Sequence, residues 1–226
     1  MLVLAIDTSG KHGSIALCEC GAGDCRTLEV VSLAGGTYSA QLMPQIAALL
    51  ARHNLDKRAI DALAAASGPG SFTGLRVGLS TVKALAEVLR KPIVAVSLLE
   101  ALAWRHGSET RATDAITVLD AARGQVFVGE YKMQEGVLPQ LVREALLSLD
   151  EFAAAAQANP GVPVFTPDEA VAKPLRERGV RLTPVARPQA DLIARVGALK
   201  LAAGQVVSAE ELDANYIRRS DAELSH

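Results

Sequence analysis

Two short runs of residues carry the groups that could do chemistry. In Ser67-Gly68-Pro69-Gly70-Ser71-Phe72-Thr73-Gly74-Leu75-Arg76, three glycines free the main chain for tight turns and close approach, Pro69 stiffens the corner, and Ser71 or Thr73 can cap a following helix. Free N–H groups at such a helix start favour an anion, so Gly68, Gly70, Ser71, Thr73, Gly74 and Arg76 form a candidate anion site. The same run would serve equally as a strand-to-helix corner that binds nothing. It lacks the Gly-Lys-Ser/Thr ending of a P-loop. Asp7-Thr8-Ser9 places a carboxylate and two hydroxyls at the end of an apolar strand, where they could hold magnesium or phosphate oxygens. Alternatively, Asp7 satisfies its own turn as an Asx-turn. Asp120 and Arg123 form the corresponding turn later in the chain, an opposite-charge pair worth about 0–1 kcal/mol.

Other chemistries have less footing. Cys18, Cys20 and Cys25 lie within one expected hairpin, but no fourth metal ligand accompanies them, and three reduced structural thiols are expected. His12, His53, His106 and His226 are scattered, with no H-E-x-x-H pattern for a zinc hydrolase. A formal charge of −2 argues against a chain that grips nucleic acid by itself, because neutralising phosphates needs a basic face. With 50% hydrophobic residues in 226, the chain has core material for one large domain or two small lobes. The opening apolar run stops at Asp7, too short for a signal peptide, and no apolar stretch approaches a membrane span, so a cytoplasmic protein is expected.

The elements that must position these residues follow from periodicity. Strands are expected at 2–6, 13–20 and 26–33, a helix at 39–52, a strand at 62–66, a helix at 73–90, a strand at 92–96 and a helix to 106. This order predicts an α/β lobe with a mixed sheet flanked by helices. After the polar stretch 107–113 the pattern begins again: Val118-Leu119-Asp120 followed by Gly124-Gln125-Val126-Phe127-Val128 echoes Leu4-Ala5-Ile6-Asp7 followed by Gly13-Ser14-Ile15-Ala16-Leu17. Strands near 137–142, 162–166 and 180–184 and helices at 149–158, 167–178 and 189–203 complete it. The expected division is a lobe over 1–106 carrying the Gly-rich loop, and a smaller lobe over 107–226 whose last long helix packs back on the first.

Two helices have more apolar surface than one sheet contact uses. On the helix from Thr73, Arg76, Ser80, Lys83, Glu87 and Arg90 share an arc of about 80°. Leu75, Leu79, Val82, Ala86 and Leu89 make one apolar face, and Val77, Ala84, Leu85 and Val88 a second. The helix 39–52 carries Leu42, Met43, Ile46, Leu49 and Leu50 opposite Gln41, Gln45 and Arg52. The two helices either form a partner surface or cover each other within one subunit. Pro44 breaks a rule unless the helix begins near it. Arg76 opposes the helix dipole and calls for an acidic or anionic partner.

These residues resemble a known family. Leu4 to Ser9, Ser67 to Gly78, Val96 to Ala103, Asp120 to Phe127 and the closing Tyr216-Ile217-Arg218-Arg219 are together similar to the TsaB (YeaZ) family, in family order along the whole chain. The string Gly-Pro-Gly-Ser-Phe-Thr-Gly-Leu-Arg is the most specific. The resemblance implies an actin-like, two-lobed fold of the sugar kinase and Hsp70 type. It also implies a role in forming N6-threonylcarbamoyladenosine beside the anticodon of tRNAs that read codons beginning with adenine. The family member is the non-catalytic partner of TsaD, which carries the metal site and transfers the threonylcarbamoyl group. The ATPase TsaE joins them, and tRNA is met only through the complex. No cofactor is required by this subunit alone, ATP being used by the complex, and the isolated subunit forms a homodimer through the surface that pairs with TsaD. Leu42, Met43, Ile46, Leu50, Leu75, Leu79, Val82 and Ala86 are the expected interface. Family members often read His-Ser-Glu where this chain has Tyr38-Ser39-Ala40, which questions any polar contact at that helix start.

From the residues themselves, the stretch Val162 to Glu169 lacks the glycine that would let a nucleotide approach the second lobe, so that lobe reads as degenerate. Two other functions are weighed against the scaffold: an ATP-dependent phosphotransferase using Asp7 and the Gly-rich loop, and a peptidase. The latter lacks a nucleophile–base or metal constellation.

Overall fold

The computed structural model describes residues 1–21, 24–110 and 112–217, with the side chains of 107–110 set aside. Arg218, Arg219 and His226 lie outside the described residues, as does Arg111 of the expected polar connection. Two compact units divide the chain, one built on Met1–Leu98 with Pro188–Asn215 and one on Leu99–Arg187. The division therefore falls at Leu98 rather than residue 106. The helix Leu98–Thr110 (α3) continues through the stretch expected to connect the lobes.

In the first unit, strands β1 (Leu2–Asp7), β2 (His12–Cys20), β3 (Cys25–Ala34), β4 (Ala62–Gly68) and β5 (Ile93–Ser97) form a sheet in the order β3-β2-β1-β4-β5. β1 pairs antiparallel with β2, and β2 with β3, whereas β1, β4 and β5 run parallel. Strand β1 is buried along its whole length, as expected of a central strand covered on both faces. On one face Leu4, flanked by its register partners Leu17 and Leu63, meets α1 (Tyr38–Arg52) and α2 (Phe72–Leu89). On the other, Ala5 with its partners Ala16 and Ala64 makes a row of small side chains under α6 (Ala190–Ala202). A Cβ on Gly197 of α6 would lie 2.9 Å from that of Ala64, so only glycine permits this approach. Ser14 of β2 anchors the helix start by accepting the Ala190 N–H at 2.9 Å.

The second unit repeats the topology. β6 (Asp114–Asp120), β7 (Gln125–Lys132), β8 (Gln140–Ser148), β9 (Val164–Thr166) and β10 (Thr183–Pro184) lie in the order β10-β9-β6-β7-β8. Again the earliest strand is central, its two successors are antiparallel on one side, and the later pair is parallel on the other. Both units thus have the mixed sheet of an actin-like fold. Helices α4 (Leu149–Ala158) and α5 (Glu169–Glu177) cover Val118, Val126, Val128 and Val164 with Phe152, Val171 and Leu175. A reciprocal capping box between Ser148 and Glu151 sets the start of α4.

Three local expectations are corrected. The strand expected near 137–142 lies at Gln140–Ser148: it is an edge strand, exposed over its first four residues, so burial did not impose clean alternation on it. Pro44 sits inside α1 rather than at its start. Cys20 and Cys25, opposite one another in the β2–β3 register, are joined by a disulfide; only Cys18 keeps a free, buried thiol, whose pKa burial raises. Among the described residues no helix is long and apolar enough to cross a membrane.

Candidate functional site

The Asp7-Thr8-Ser9 turn and the Gly-rich run meet. All three turn residues are buried. Asp7 Oδ1 accepts the Ser9 N–H at 2.9 Å, which is the Asx-turn alternative. Thr8 Oγ1 donates to the Gly74 carbonyl at 2.7 Å, and the Ser71 N–H donates to the Ser9 carbonyl at 2.6 Å. Side chain and main chain of the first turn are therefore bound directly to the start of α2.

Glycine is required here for close approach, but the approaching group is the chain's own turn. A Cβ on Gly70 would overlap the Ser9 carbonyl, one on Gly74 the Thr8 carbonyl, and one on Gly78 the Thr8 hydroxyl. The room left by the missing side chains is filled with Thr8 and Ser9, where an anion cradle would leave it open. Ser71 caps α2 by accepting the Gly74 N–H at 3.3 Å. Gly68, at φ +119°, takes a backbone conformation that L side chains rarely adopt, and the Gly68–Pro69 peptide is cis. Thr73 and Arg76 remain exposed at the rim. The guanidinium of Arg76 lies 3.7 Å from the centre of the Phe72 ring, a cation–π contact one helical turn away. Ser9 Oγ is buried and has no hydrogen-bond partner among the described residues.

Tyr38 is the residue that sequence reasoning missed. Its hydroxyl donates to the Gly10 carbonyl at 2.7 Å, and its ring packs under Gly13, where a Cβ would come within 2.8 Å of it. Burial, and secondarily the Asp7 charge, raise its pKa. The departure from His-Ser-Glu thus keeps a polar contact at the start of α1, made by a phenol. A pairing of Gly13 with a buried aromatic was the available signal. Both helices are consequently pinned at their N-termini to one turn, α1 through Gly10 and α2 through Thr8 and Ser9.

The expected interface residues separate into two groups. Leu42, Ile46, Leu50, Leu75, Leu79, Val82 and Ala86 are buried in the core of their own unit, facing Leu4, Ile6 and Leu63. They cannot line a partner surface without unfolding the sheet contact. Met43 alone of that set is exposed, at 51%. What α1 turns outward is a different strip, Ala40, Met43, Pro44, Ala47 and Ala51, within an arc of about 100°. On α2 the second apolar face is open: Ala84 is exposed, Val88 is 74% exposed, and Val77 and Leu85 are half-buried. α1 and α2 pack side by side, so the open strips belong to one helical layer.

The second unit has a related turn. Asp120 Oδ1 accepts the Ala122 N–H at 2.8 Å, repeating the Asp7 geometry, and Ala122, Arg123 and Gly124 are left-handed. Asp168, the N-cap position of α5, accepts the Asp120 N–H at 2.8 Å and pairs with Arg187 at 2.6 Å. In this unit too, the end of the strand is occupied by the protein's own groups. Among the described residues no three His, Cys, Asp or Glu side chains cluster as metal ligands would.

The chain is similar to known proteins. The family model of TsaD, tRNA N6-adenosine threonylcarbamoyltransferase, matches residues 32–174. The tRNA threonylcarbamoyladenosine biosynthesis protein TsaB of Escherichia coli K12 is 30% identical over 228 residues, spanning 97% of this chain and 96% of its own. TsaB of Bacillus subtilis 168 is 35% identical over 154 residues, 67% of this chain and 64% of its own, so that match spans just under two thirds of the relative. The solved structure of YeaZ from Pseudomonas aeruginosa superposes with a TM-score of 0.76 at 29% identity, covering 96% of this chain and 100% of that one. Near-complete coverage by both a sequence relative and a solved structure places the whole chain, and not one lobe of it, in a single lineage: it belongs to the TsaB (YeaZ) family.

Proposed function

We propose that this chain is a non-catalytic docking subunit in the formation of N6-threonylcarbamoyladenosine on tRNA. It pairs with a TsaD-type transferase through the outward strips of α1 and α2. In this reading the transferase supplies the chemistry, a TsaE-type ATPase uses the ATP, tRNA is contacted through the complex, and the isolated chain self-associates through the same strips. The observation that carries the proposal is the division of faces on the two helices: the inner faces are spent on the core, while Ala40, Met43, Pro44, Ala47 and Ala51 with Ala84 and Val88 stay open to a partner. The filled glycine corner supports the non-catalytic part, because the Ser71 N–H is given to the Ser9 carbonyl, the Gly74 N–H to the Ser71 hydroxyl, and the space beside Gly70, Gly74 and Gly78 is taken by Thr8 and Ser9.

Ala47→Glu and Ala84→Glu test this without touching the core. Each should fold with stability within about 0.5 kcal/mol of the parent, as surface substitutions do. Each should also weaken pairing with TsaD by about tenfold or more, because a charge left unpaired in an apolar interface is strongly unfavourable. Val82→Asp is the contrasting control, expected to unfold the first unit. Undiminished co-purification of both surface variants with TsaD would reject the interface. ATP turnover by the pure chain would favour a phosphotransferase instead.

A further inference from the structure

We infer that the segment Val207–Asn215 is a strap that locks the Ser67–Pro69 corner and so fixes the start of α2. Resting on the docking reading above, its release lowers affinity for the α1/α2 partner. The segment follows α6 and is attached to the first sheet at two separated points. At one end the Val207 N–H donates to the Ile93 carbonyl at 3.0 Å, adding an antiparallel bridge to edge strand β5. At the other, the Asn215 N–H donates to the Ser67 carbonyl at 2.7 Å, at the end of β4 where the Gly-rich run begins.

Between these points the strap folds on itself. Ser208 Oγ accepts the Glu211 N–H at 3.1 Å, Glu211 Oε2 accepts the Ser208 N–H at 3.0 Å, and the Leu212 N–H reaches the Ser208 carbonyl at 3.0 Å. This self-capped turn directs Leu212 into the core, where it is wholly buried, with Ala214 buried beside it. A Cβ placed on Gly68 would lie 3.2 Å from Leu75 Cδ1 and 3.4 Å from the Asn215 carbonyl oxygen. The strap and the first turn of α2 thus both border the corner at Gly68.

The attachment is also slight enough to open. Ser208, Glu210, Glu211 and Asp213 are exposed, and Leu212 is the one large side chain the segment commits fully to the core. A segment with few buried apolar contacts opens at a lower free energy than the sheet it rests on. When it opens, the Ser67 carbonyl loses its donor, and Leu212 and Ala214 leave the core cluster that also holds Leu75. The corner is then held from the Thr8–Ser9 side alone.

The test uses the full chain. Asn215→Pro removes one N–H donor, and Leu212→Ala loosens the anchor should the proline not be tolerated. Amide exchange is read at Ser71 and Leu75, with Leu4 and Ala16 as sheet controls, beside the dissociation constant for TsaD. The expected result is exchange at Ser71 and Leu75 faster by about tenfold or more with the sheet amides unchanged, together with a loosening of pairing. Unaltered exchange at Ser71 and Leu75 in both variants would overturn the strap, whatever binding does. Faster exchange with unchanged pairing would overturn the coupling to docking. If the parent chain does not pair with TsaD at all, the docking reading fails, and the exchange data still judge the strap.

Discussion

Ser9 and Gly74 show how much of this corner is decided by single atoms. Ser9 Oγ is buried and has no hydrogen-bond partner among the described residues, and an unsatisfied hydroxyl costs about 1–3 kcal/mol. Ser9→Ala should therefore leave stability unchanged or raise it, as read by denaturant midpoint; a fall of about 1 kcal/mol or more would mean that the hydroxyl has a partner. Gly74→Ala has the opposite expectation. Its Cβ would overlap the Thr8 carbonyl, which is backbone and cannot rotate away, so overpacking should cost about 1–3 kcal/mol and lower the melting temperature. At this scale the sequence was half legible. The glycine spacing announced a close approach, but spacing cannot say whether the approaching group is a ligand or the neighbouring turn. The hydrogen bond of Tyr38 was hidden for a related reason: its partner, the Gly10 carbonyl, is a main-chain atom that leaves no mark in the sequence, so only the facing Gly13 hinted at the ring.

The helices α1 and α2 were legible as elements and as doubly apolar surfaces. Periodicity placed Leu75, Leu79, Val82 and Ala86 on one face and Val77, Ala84 and Val88 on another, and the structure keeps that division. What a wheel cannot provide is the direction of the sheet. Most of the larger side chains went inward, as apolar burial favours, leaving alanines with Met43, Pro44 and Val88 outside. A face of small residues lets another helix approach closely, whereas the expected leucines would have held it further away. The Ala47→Glu and Ala84→Glu substitutions belong to this scale, since each changes what an element presents and not how it is built. β8 was displaced from its expected span because, at a sheet edge, neither its inner nor its outer residues are compelled to be apolar.

Across the whole molecule, both units place their first strand centrally and end it in an aspartate that bonds the N–H two residues on, at 2.9 Å for Asp7 and 2.8 Å for Asp120. The echo read in the sequence is therefore one of architecture. Acid should weaken the whole in a defined window. Arg52 and then His53 hold the Glu29 carboxyl below its ordinary value of 4.5, Lys132 lowers Asp114 from 3.8, and the Ser148 and Ser208 N–H groups lower Glu151 and Glu211 from 4.5. Groups lowered in the folded state contribute in full above those ordinary values, and the contribution is lost as pH falls through the lower folded ones. Melting temperature should stay level toward pH 5 and fall below about pH 4.5. The double variant Glu29→Gln/Asp114→Asn should show a shallower fall; an identical slope would remove these pairs from the acid response.

The discontinuity of the first unit sets the order in which a ribosome can complete this protein. When residue 98 has been made, one face of the first sheet still shows its alanine row to water, because α6 has not yet been synthesised. The second unit, by contrast, has all five strands of its sheet within Leu99–Arg187. At about 5–20 residues per second, the first sheet waits roughly 5–20 seconds for its cover. The half translated first is thus the half finished last, and its unfinished face is what a chaperone would meet on the nascent chain.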